Sequence, residues 1–158
     1  MGIKKVGEEM KIIFLDFDGV LNKFSDTESL LYLSKECVGN LNTLIERSGA
    51  KIVISSCWRA HHPMEDLKQI LINAGFKYVD HIIGVTPDLI YEPRKTCRGE
   101  EISKWLKESN ENVESFVIID DDDDMDPFMH LLVQTNCDNG LTTDEMERAL
   151  LVIEKGEI

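Results

Sequence analysis

The chain has 158 residues, of which 42% are hydrophobic and 30% charged, and its formal net charge is -13. These values favour one ordinary globular domain over residues 1–158, with residues 1–10 expected to be a flexible N-terminal segment. So acidic a chain is a poor nonspecific binder of nucleic acid. The sequence lacks an apolar stretch long enough to cross a membrane and the apolar core of a signal peptide. The four cysteines are scattered without zinc spacing, which favours reduced thiols in the cytoplasm.

The first predicted element is a buried strand over residues 11–15 that runs directly into two alternating aspartates. Asp16 and Asp18 point the same way if the chain stays extended, so both carboxylates could face one point. Like charges that close repel, and a cation, a shared proton or solvent must compensate them. The alternative is that they are only turn residues, since Asp beside Gly is common in turns.

Strand-like and helix-like segments alternate along the rest of the chain. The other predicted strands span residues 51–54, 81–85, 115–119 and 130–135. The predicted helices are 27–48, interrupted near Gly39, a second opened by Pro63 and stopped by Gly75, a third over 100–108, and a last one capped by Thr142 or Thr143 and reaching Glu154. This alternation predicts an α/β fold with a mostly parallel five-stranded sheet and helices on both faces.

Polar residues follow the predicted strands at the sheet edge where ligands bind in such folds. The second strand ends in Ser55 and Ser56, and the fourth ends in Asp120 and Asp121. A cationic cluster over 94–98 opens the third helix. Carboxylates suit Mg²⁺, while a hydroxyl with Arg or Lys suits phosphate oxygens. An Asp beside the metal can act as nucleophile and a second Asp as proton donor, which is the chemistry of phosphoryl transfer through an aspartyl phosphate.

These motifs resemble those of the haloacid dehalogenase (HAD) superfamily of phosphatases, over nearly the whole chain. DFDGVL at 16–21 is similar to motif one, and the strand ending at Ser55 is similar to motif two. Arg98 stands where motif three has Lys or Arg, and Ile-Asp-Asp at 119–121 is similar to the paired-acid form of motif four. The resemblance implies a three-layer Rossmann-like fold and a Mg²⁺-dependent phosphatase that forms an aspartyl phosphate.

The resemblance also implies a role for each acidic residue of these motifs. Asp16 would attack phosphorus and bind Mg²⁺ through its other oxygen. Asp18 would protonate the leaving oxygen, deprotonate the attacking water and offer its backbone carbonyl to the metal. Asp120 would bind the metal directly, and Asp121 directly or through water.

Phosphate would be held by hydroxyl and cationic groups, for which the sequence leaves alternatives. Ser55 would bind a phosphate oxygen, although Ser56 could hold that role. Arg98 would neutralise the phosphate, and Lys95 is its rival because the family more often has Lys there. Arg59 is expected to be a second phosphate or substrate contact, with a surface role as the alternative.

The spacing between motifs leaves no room for a separate cap domain, so the site is predicted to be open to a large substrate or closed by a partner. A narrower resemblance, to compact HAD domains of RNA-repair and polynucleotide phosphatases, is carried by the sequences DFDGVLN, SCWR, RGEEISKWL and NGLT. It implies a phosphorylated substrate such as a nucleic-acid end or a nucleotide. Trp58 could then stack on a base or simply pack at the rim of the site.

The acidic tract 120–126 could suggest a calcium loop, but an EF-hand would need Gly at Met125 and Glu at Leu131. We predict a solvated loop or a weak secondary cation site at residues 122–126. His61 and His62, after motif two, are expected either to touch the substrate or to be exposed loop residues.

Other functional classes remain as alternatives. A receiver domain places its acid pair on the first strand, whereas here that pair comes late. A HAD-fold module that only binds a partner is disfavoured, because every motif position holds a residue competent for catalysis. Phosphoprotein and small-nucleotide phosphatases of the same superfamily stay open, and the sequence does not determine the oligomeric state.

Overall fold

The computed structural model describes residues 7–89 and 97–156. It contains one five-stranded sheet in the order β3-β2-β1-β4-β5. The strands are β1 (Glu9–Leu15), β2 (Lys51–Ile54), β3 (Ile82–Val85), β4 (Asn112–Asp120) and β5 (Leu132–Gln134). Every neighbouring pair is parallel. The predicted α/β class with a parallel five-stranded sheet is therefore confirmed.

Helices cover both faces of this sheet and complete the three layers. They are α1 (Ser29–Tyr32), α2 (Lys35–Ser48), α3 (Met64–Asn73), α4 (Arg98–Glu108) and α5 (Thr143–Lys155). One core cluster joins the sheet to α2, α3 and α5, which contribute Leu41, Leu67 and Ala149 respectively. The other joins it to α4 through Ile102. Because both faces are covered, the central strand β1 reads as a continuous apolar run in the sequence.

The predicted interruption of the first long helix near Gly39 is wrong. α2 runs through Gly39, and the break lies earlier, between α1 and α2. Leu33 has a φ of 64° there, and the side chain of Ser34 caps α2 by accepting a hydrogen bond from the amide of Cys37. A glycine inside a helix costs only about 1 kcal/mol relative to alanine, which the burial of the apolar face of α2 outweighs.

The start of β1 differs slightly from the expected boundary, and the cap of α5 is one of the two expected residues. β1 begins at Glu9, opposite Asn112 of β4, so it includes the end of the segment expected to be flexible. Residues 1–6 of that segment lie outside the described residues, and the single-domain boundary stays a prediction. α5 is capped by Thr142, whose amide donates to the carboxylate of Glu145 at 3.2 Å.

All four cysteines are described, and each is a free thiol. None of the helices within 7–89 and 97–156 is long and apolar enough to cross a membrane.

The order in which strands are added to the sheet reverses between β1 and β4. β2 and β3 lie on one side of β1, whereas β4 and β5 lie on the other. At such a switch point the connections leave the sheet in opposite directions, and a crevice opens beyond the carboxyl ends of the two strands. The fold therefore forms a crevice suited to ligand binding where β1 and β4 end.

Candidate active site

The predicted site residues on three strands meet at this edge of the sheet. Asp16 directly follows β1, Ser55 directly follows β2, and Asp120 is the last residue of β4. Main-chain pairing continues beyond the strands, because the amide of Asp16 donates to the carbonyl of Ile119 at 3.1 Å and that of Ser55 to Leu15 at 2.8 Å. The sheet ladder thus holds the three side chains next to one another.

Three carboxylates form a cluster at the switch point. One oxygen each of Asp16, Asp120 and Asp121 lies within 4.8 Å of the others. Asp16 is 4% exposed and Asp120 is 1% exposed. Oδ1 of Asp120 accepts a hydrogen bond from the amide of Asp122 at 3.0 Å, whereas its Oδ2 has no hydrogen-bond partner among the described residues. Buried polar atoms rarely lack a partner, so this oxygen is available to a ligand.

Burial makes negative charge unfavourable in this cluster. It raises the pKa of Asp16, against which the charge of Arg98 acts. Burial and then the charge of Asp16 raise the pKa of Asp120. A divalent cation would remove this penalty by binding the ionised oxygens, and carboxylate oxygens are the ligands that Mg²⁺ prefers in proteins. The donor set therefore fits a magnesium ion. Asp18 is not part of the cluster of the three carboxylates.

Arg98, the first residue of α4, faces this cluster. Its Nη1 lies 3.6 Å from Oδ1 of Asp16 and its Nε lies 3.4 Å from Oδ2 of Asp120. Nη1 also donates to the carbonyl of Ser55. Burial lowers the pKa of Arg98, but Asp120 and Asp16 outweigh it and keep that pKa above its ordinary value. Lys95, the alternative to Arg98, lies outside the described residues.

The two serines after β2 have different surroundings. Oγ of Ser56 accepts a hydrogen bond from the amide of Trp58 at 3.2 Å and caps the short 3-10 turn Cys57–Ala60. Oγ of Ser55 is buried and, within the described part of the chain, has no hydrogen-bond partner. A buried hydroxyl without a partner costs stability, so a ligand oxygen is its natural complement. This difference favours Ser55 over Ser56 for phosphate.

Asp18 lies half-buried in the turn after β1, where Asn22 holds it. The side-chain amide of Asn22 donates to Oδ1 of Asp18 at 2.8 Å and accepts from the amide of Gly19 at 2.8 Å. The carbonyl of Gly19 in turn accepts from the hydroxyl of Thr135 at 2.7 Å. No motif indicated a role for Asn22, and the available signal was a side chain able to bond back to the turn four residues earlier.

Arg59 lies in a buried ion pair with Glu101, and its side chain is 6% exposed. Nη2 of Arg59 lies 2.8 Å from Oε2 of Glu101, and three of its other donors reach main-chain carbonyls. The structure thus does not point the guanidinium of Arg59 at the carboxylate cluster in the way that it points Arg98. Nothing in the sequence indicated Glu101 as its partner.

The acidic loop after β4 holds the start of α4. The carboxylate of Asp124 accepts a hydrogen bond from the amide of Arg98 at 3.1 Å. The main-chain carbonyl of Asp124 accepts one from the amide of Gly99 at 3.0 Å. A Cβ atom on Gly99 would overlap with the main-chain oxygen of Asp126, so only glycine allows this close approach. Met125, between them, is fully buried. Within the segment expected to be solvated, these residues are structural.

Aromatic residues lie at the rim of the site. Trp58 is partly buried against Phe17, with ring centroids 5.3 Å apart and planes at 66°. Its ring also lies 6.0 Å from that of His62. His61 is exposed. This arrangement agrees with the alternative in which Trp58 packs at the rim.

Comparison with known protein families identifies the family to which most of the chain is similar. A family model described as "HAD domain in Swiss Army Knife RNA repair proteins" matches residues 12–146. This span extends from β1 into α5 and contains the carboxylate cluster, Ser55 and Arg98. Neither the curated proteins nor the solved structures contain a match. The resemblance drawn from the four motifs is confirmed.

Proposed function

The chain belongs to the family of HAD domains in Swiss Army Knife RNA repair proteins, and from this premise we propose that it is a Mg²⁺-dependent phosphatase. The family indicates a hydrolase of the phosphatase type. The reaction proposed is the hydrolysis of a phosphomonoester through an aspartyl phosphate on Asp16. The substrate class proposed is a phosphorylated nucleic-acid end or a nucleotide.

One observation carries the proposal: a buried carboxylate oxygen and a buried hydroxyl, neither with a hydrogen-bond partner among the described residues, lie at the same edge of the sheet. Oδ2 of Asp120 and Oγ of Ser55 have no hydrogen-bond partner among residues 7–89 and 97–156. A cation would satisfy the carboxylate oxygen, and a phosphate oxygen would satisfy the hydroxyl. Mg²⁺ together with a bound phosphate ester would supply both the cation and the phosphate oxygen.

Asp16, Asp120 and Asp121 would hold the metal, with the main-chain carbonyl of Asp18 as a further ligand. Bound there, Mg²⁺ would offset the carboxylate charges and withdraw charge from the phosphate oxygens. Ser55 and Arg98 would bind the remaining phosphate oxygens.

Asp16 is the proposed nucleophile, and its orientation is fixed from two sides. The amide of Phe17 donates to Oδ1 at 2.8 Å, and Arg98 lies beside the same oxygen. An oxygen of Asp16 forms a bond to phosphorus while the bond from phosphorus to the leaving oxygen breaks. Water then attacks the phosphorus, which releases inorganic phosphate and restores the carboxylate.

Asp18 is the proposed general acid and base. Because Asn22 already donates to Oδ1, the transferable proton belongs on Oδ2. That proton passes to the leaving oxygen in the first step, and Asp18 then accepts a proton from the attacking water. Asp18 thus gives one proton to the leaving group and is reprotonated by the attacking water, while Asn22 orients its carboxylate.

The substrate class rests on the family description, which names RNA repair, and on the narrower motif resemblance. The net charge of -13 opposes tight binding along a polyanion. Recognition would then be concentrated on the terminal phosphate rather than on a long strand. A cytoplasmic location belongs to the same proposal.

The test compares wild type with Asp16→Asn, and with Asp66→Asn as a matched control on the exposed start of α3. We expect Mg²⁺-dependent phosphate release from an aryl phosphate that Asp16→Asn abolishes and Asp66→Asn retains. Mass spectrometry of acid-quenched wild type should find one phosphoryl group on the peptide that contains Asp16. A panel of 3′- and 5′-phosphorylated oligonucleotides, nucleotides and phosphopeptides then identifies the substrate class. If wild type turns over no member of it, the catalytic proposal is wrong and the binding module takes its place.

A further inference from the structure

We infer that Arg59 is a positioning residue, which sets the place of Arg98 through a buried ion pair with Glu101 rather than binding phosphate itself. The inference rests on the proposed phosphatase reaction, in which Arg98 binds the transferred phosphate. It assigns a role to Glu101, which lies outside the four motifs.

The guanidinium of Arg59 is almost fully engaged by the protein. Nε donates to the carbonyl of Thr86 at 2.9 Å, and Nη2 donates to Oε2 of Glu101 at 2.8 Å and to the carbonyl of Pro87 at 3.3 Å. Nη1 donates to the carbonyl of Ser56. An arginine side chain has five N–H donors, so one, on Nη1, remains. Little of this group is left for a substrate.

These acceptors lie on three separate segments. Ser56 follows β2, Thr86 and Pro87 follow β3, and Glu101 lies in the first turn of α4. Oε2 of Glu101 also accepts from the amide of Leu89 at 2.9 Å. Arg59 and Glu101 are 6% and 10% exposed, and a buried ion pair needs such saturated bonding to offset the desolvation of both charges. The pair therefore ties the loops after β2 and β3 to α4.

Arg98 is held by two of these three segments, α4 and the residues that follow β2. It is one turn before Glu101 on α4, and its Nη1 donates to the carbonyl of Ser55. Two neighbouring carbonyls after β2 thus accept from Arg98 and from Arg59. The bonds of Arg59, to the carbonyl of Ser56 and to Glu101, fix the first turn of α4 against the end of β2, where Ser55 presents its hydroxyl.

The ion pairs of Arg98 are longer than that of Arg59. Arg98 lies 3.6 Å from Asp16 and 3.4 Å from Asp120, compared with 2.8 Å between Arg59 and Glu101. Arg98 therefore faces the carboxylates without a close hydrogen bond to them and can bind a phosphate oxygen as well, whereas Arg59 holds α4 in place. A displacement of about 1 Å at a catalytic group can cost about a hundredfold in rate.

The experiment compares Arg59→Gln, Glu101→Gln and the double variant by kcat/KM on an aryl phosphate. Because Glu101 cannot bind phosphate, a positioning role predicts that each single variant loses about tenfold to a hundredfold. The double variant should lose no more than either single variant, since the two residues act as one unit. Arg59→Lys should not restore activity, because an ammonium group cannot bond to all these acceptors.

The matched control is the exposed ion pair between Arg47 and Glu147, which joins α2 to α5. Arg47→Gln and Glu147→Gln should keep wild-type activity. Direct phosphate binding by Arg59 predicts the opposite pattern: Arg59→Gln inactive, Glu101→Gln fully active and Arg59→Lys partly active. That pattern, or full activity in every variant, overturns the inference. If a single variant does not fold, Arg59→Lys, which keeps the buried positive charge, decides through the NMR readout that follows.

A second readout does not need catalysis. In NMR spectra of protein labelled with ¹⁵N-arginine, the Nε–Hε resonance of Arg98 should shift or broaden in Arg59→Lys, which preserves charge. Arg47→Lys should leave it unchanged. An unchanged Arg98 resonance in Arg59→Lys overturns the positioning role. A wild type without phosphatase activity would overturn the proposed function instead, and the NMR comparison would still decide on Arg59.

Discussion

Gly19 lies against the carboxylate of Asp121, so closely that a Cβ atom at residue 19 would fall 2.5 Å from Oδ2 of Asp121. Gly19 also has a φ of +75°, which L side chains rarely adopt. The turn after β1 therefore needs glycine for two reasons, the backbone conformation and the space beside the proposed metal ligand.

Gly19→Ala should impair magnesium binding in addition to lowering stability. The added methyl group must displace Asp121, which is a proposed metal ligand. Disturbing the groups that place a metal ligand typically weakens metal affinity by about tenfold to a hundredfold. Gly49→Ala is the matched control, because Gly49 has a φ of +70° and no atom of the described residues lies within 4 Å of its Cβ position. Both variants should lose about 1–2 kcal/mol of unfolding free energy. Mg²⁺ titration calorimetry should separate them, and equal affinities would contradict the prediction.

Asn22→Ala should damage proton transfer by Asp18. Asn22 is fully buried, and its removal frees the carboxylate and leaves the amide of Gly19 without its acceptor. We expect kcat to fall by about tenfold to a hundredfold on alkyl phosphates, a part of what general acid catalysis usually contributes. The loss should be smaller on aryl phosphates with acidic leaving groups, which depart without a proton.

The control for Asn22→Ala is Asn40→Ala, which removes a similar bond, from Asn40 to the carbonyl of Leu141, away from the site. It should keep wild-type kcat on both substrates. An Asn22→Ala variant whose loss is independent of the leaving group would show that Asn22 acts through the fold alone.

The sequence predicts much of this site because strand ends are local signals. An apolar run followed by Asp, as at Asp16 and Asp120, marks both a buried strand and the edge where it stops. Since parallel strands share that edge, residues that are 104 positions apart in the chain (120 − 16) can be expected together. The α/β class and the family resemblance follow from the same few residues.

The supporting contacts could not be predicted because no local pattern encodes them. Arg59 and Glu101 are 42 positions apart and meet only once the loops after β2 and β3 are folded against α4. The break before α2 was misplaced for a similar reason: the flexibility of Gly39 is visible in the sequence, whereas the burial that keeps it helical is not. Such positions depend on packing, so sequence patterns predict the strand-end residues of the candidate site better than the residues that hold them.

Asp124→Ala should destabilise the start of α4. Cys97 at the N-cap of α4 makes no side-chain capping bond, and Asp124 supplies an acceptor from another segment to the amide of Arg98. Loss of a capping carboxylate typically costs about 1 kcal/mol of unfolding free energy. Denaturant titration should show this loss for Asp124→Ala and none for Asp123→Ala, an exposed neighbour. Equal stability of the two variants would show that the side chain of Asp124 is as solvated as that of Asp123.

Magnesium should stabilise the protein more strongly as pH rises. Burial raises the pKa of Asp16 from 3.8 to about 7, and burial with the charge of Asp16 raises that of Asp120 to about 9. Between the ordinary and the raised values, the native state holds protons that the unfolded chain has released. The unfolding free energy of the metal-free protein therefore falls as pH rises through this window.

Mg²⁺ must displace those protons, so its binding strengthens over the same range. Thermal unfolding with EDTA and with excess Mg²⁺, from pH 5.5 to pH 8.5, measures the effect as the difference in Tm. That difference should grow with pH in wild type. In Asp120→Asn the Tm difference should be smaller and should grow less with pH. This substitution removes one metal ligand together with the titration that most opposes folding at high pH. Asp66→Asn should behave as wild type, and a magnesium-induced shift that is constant across the range would show that the cluster is already ionised without the metal.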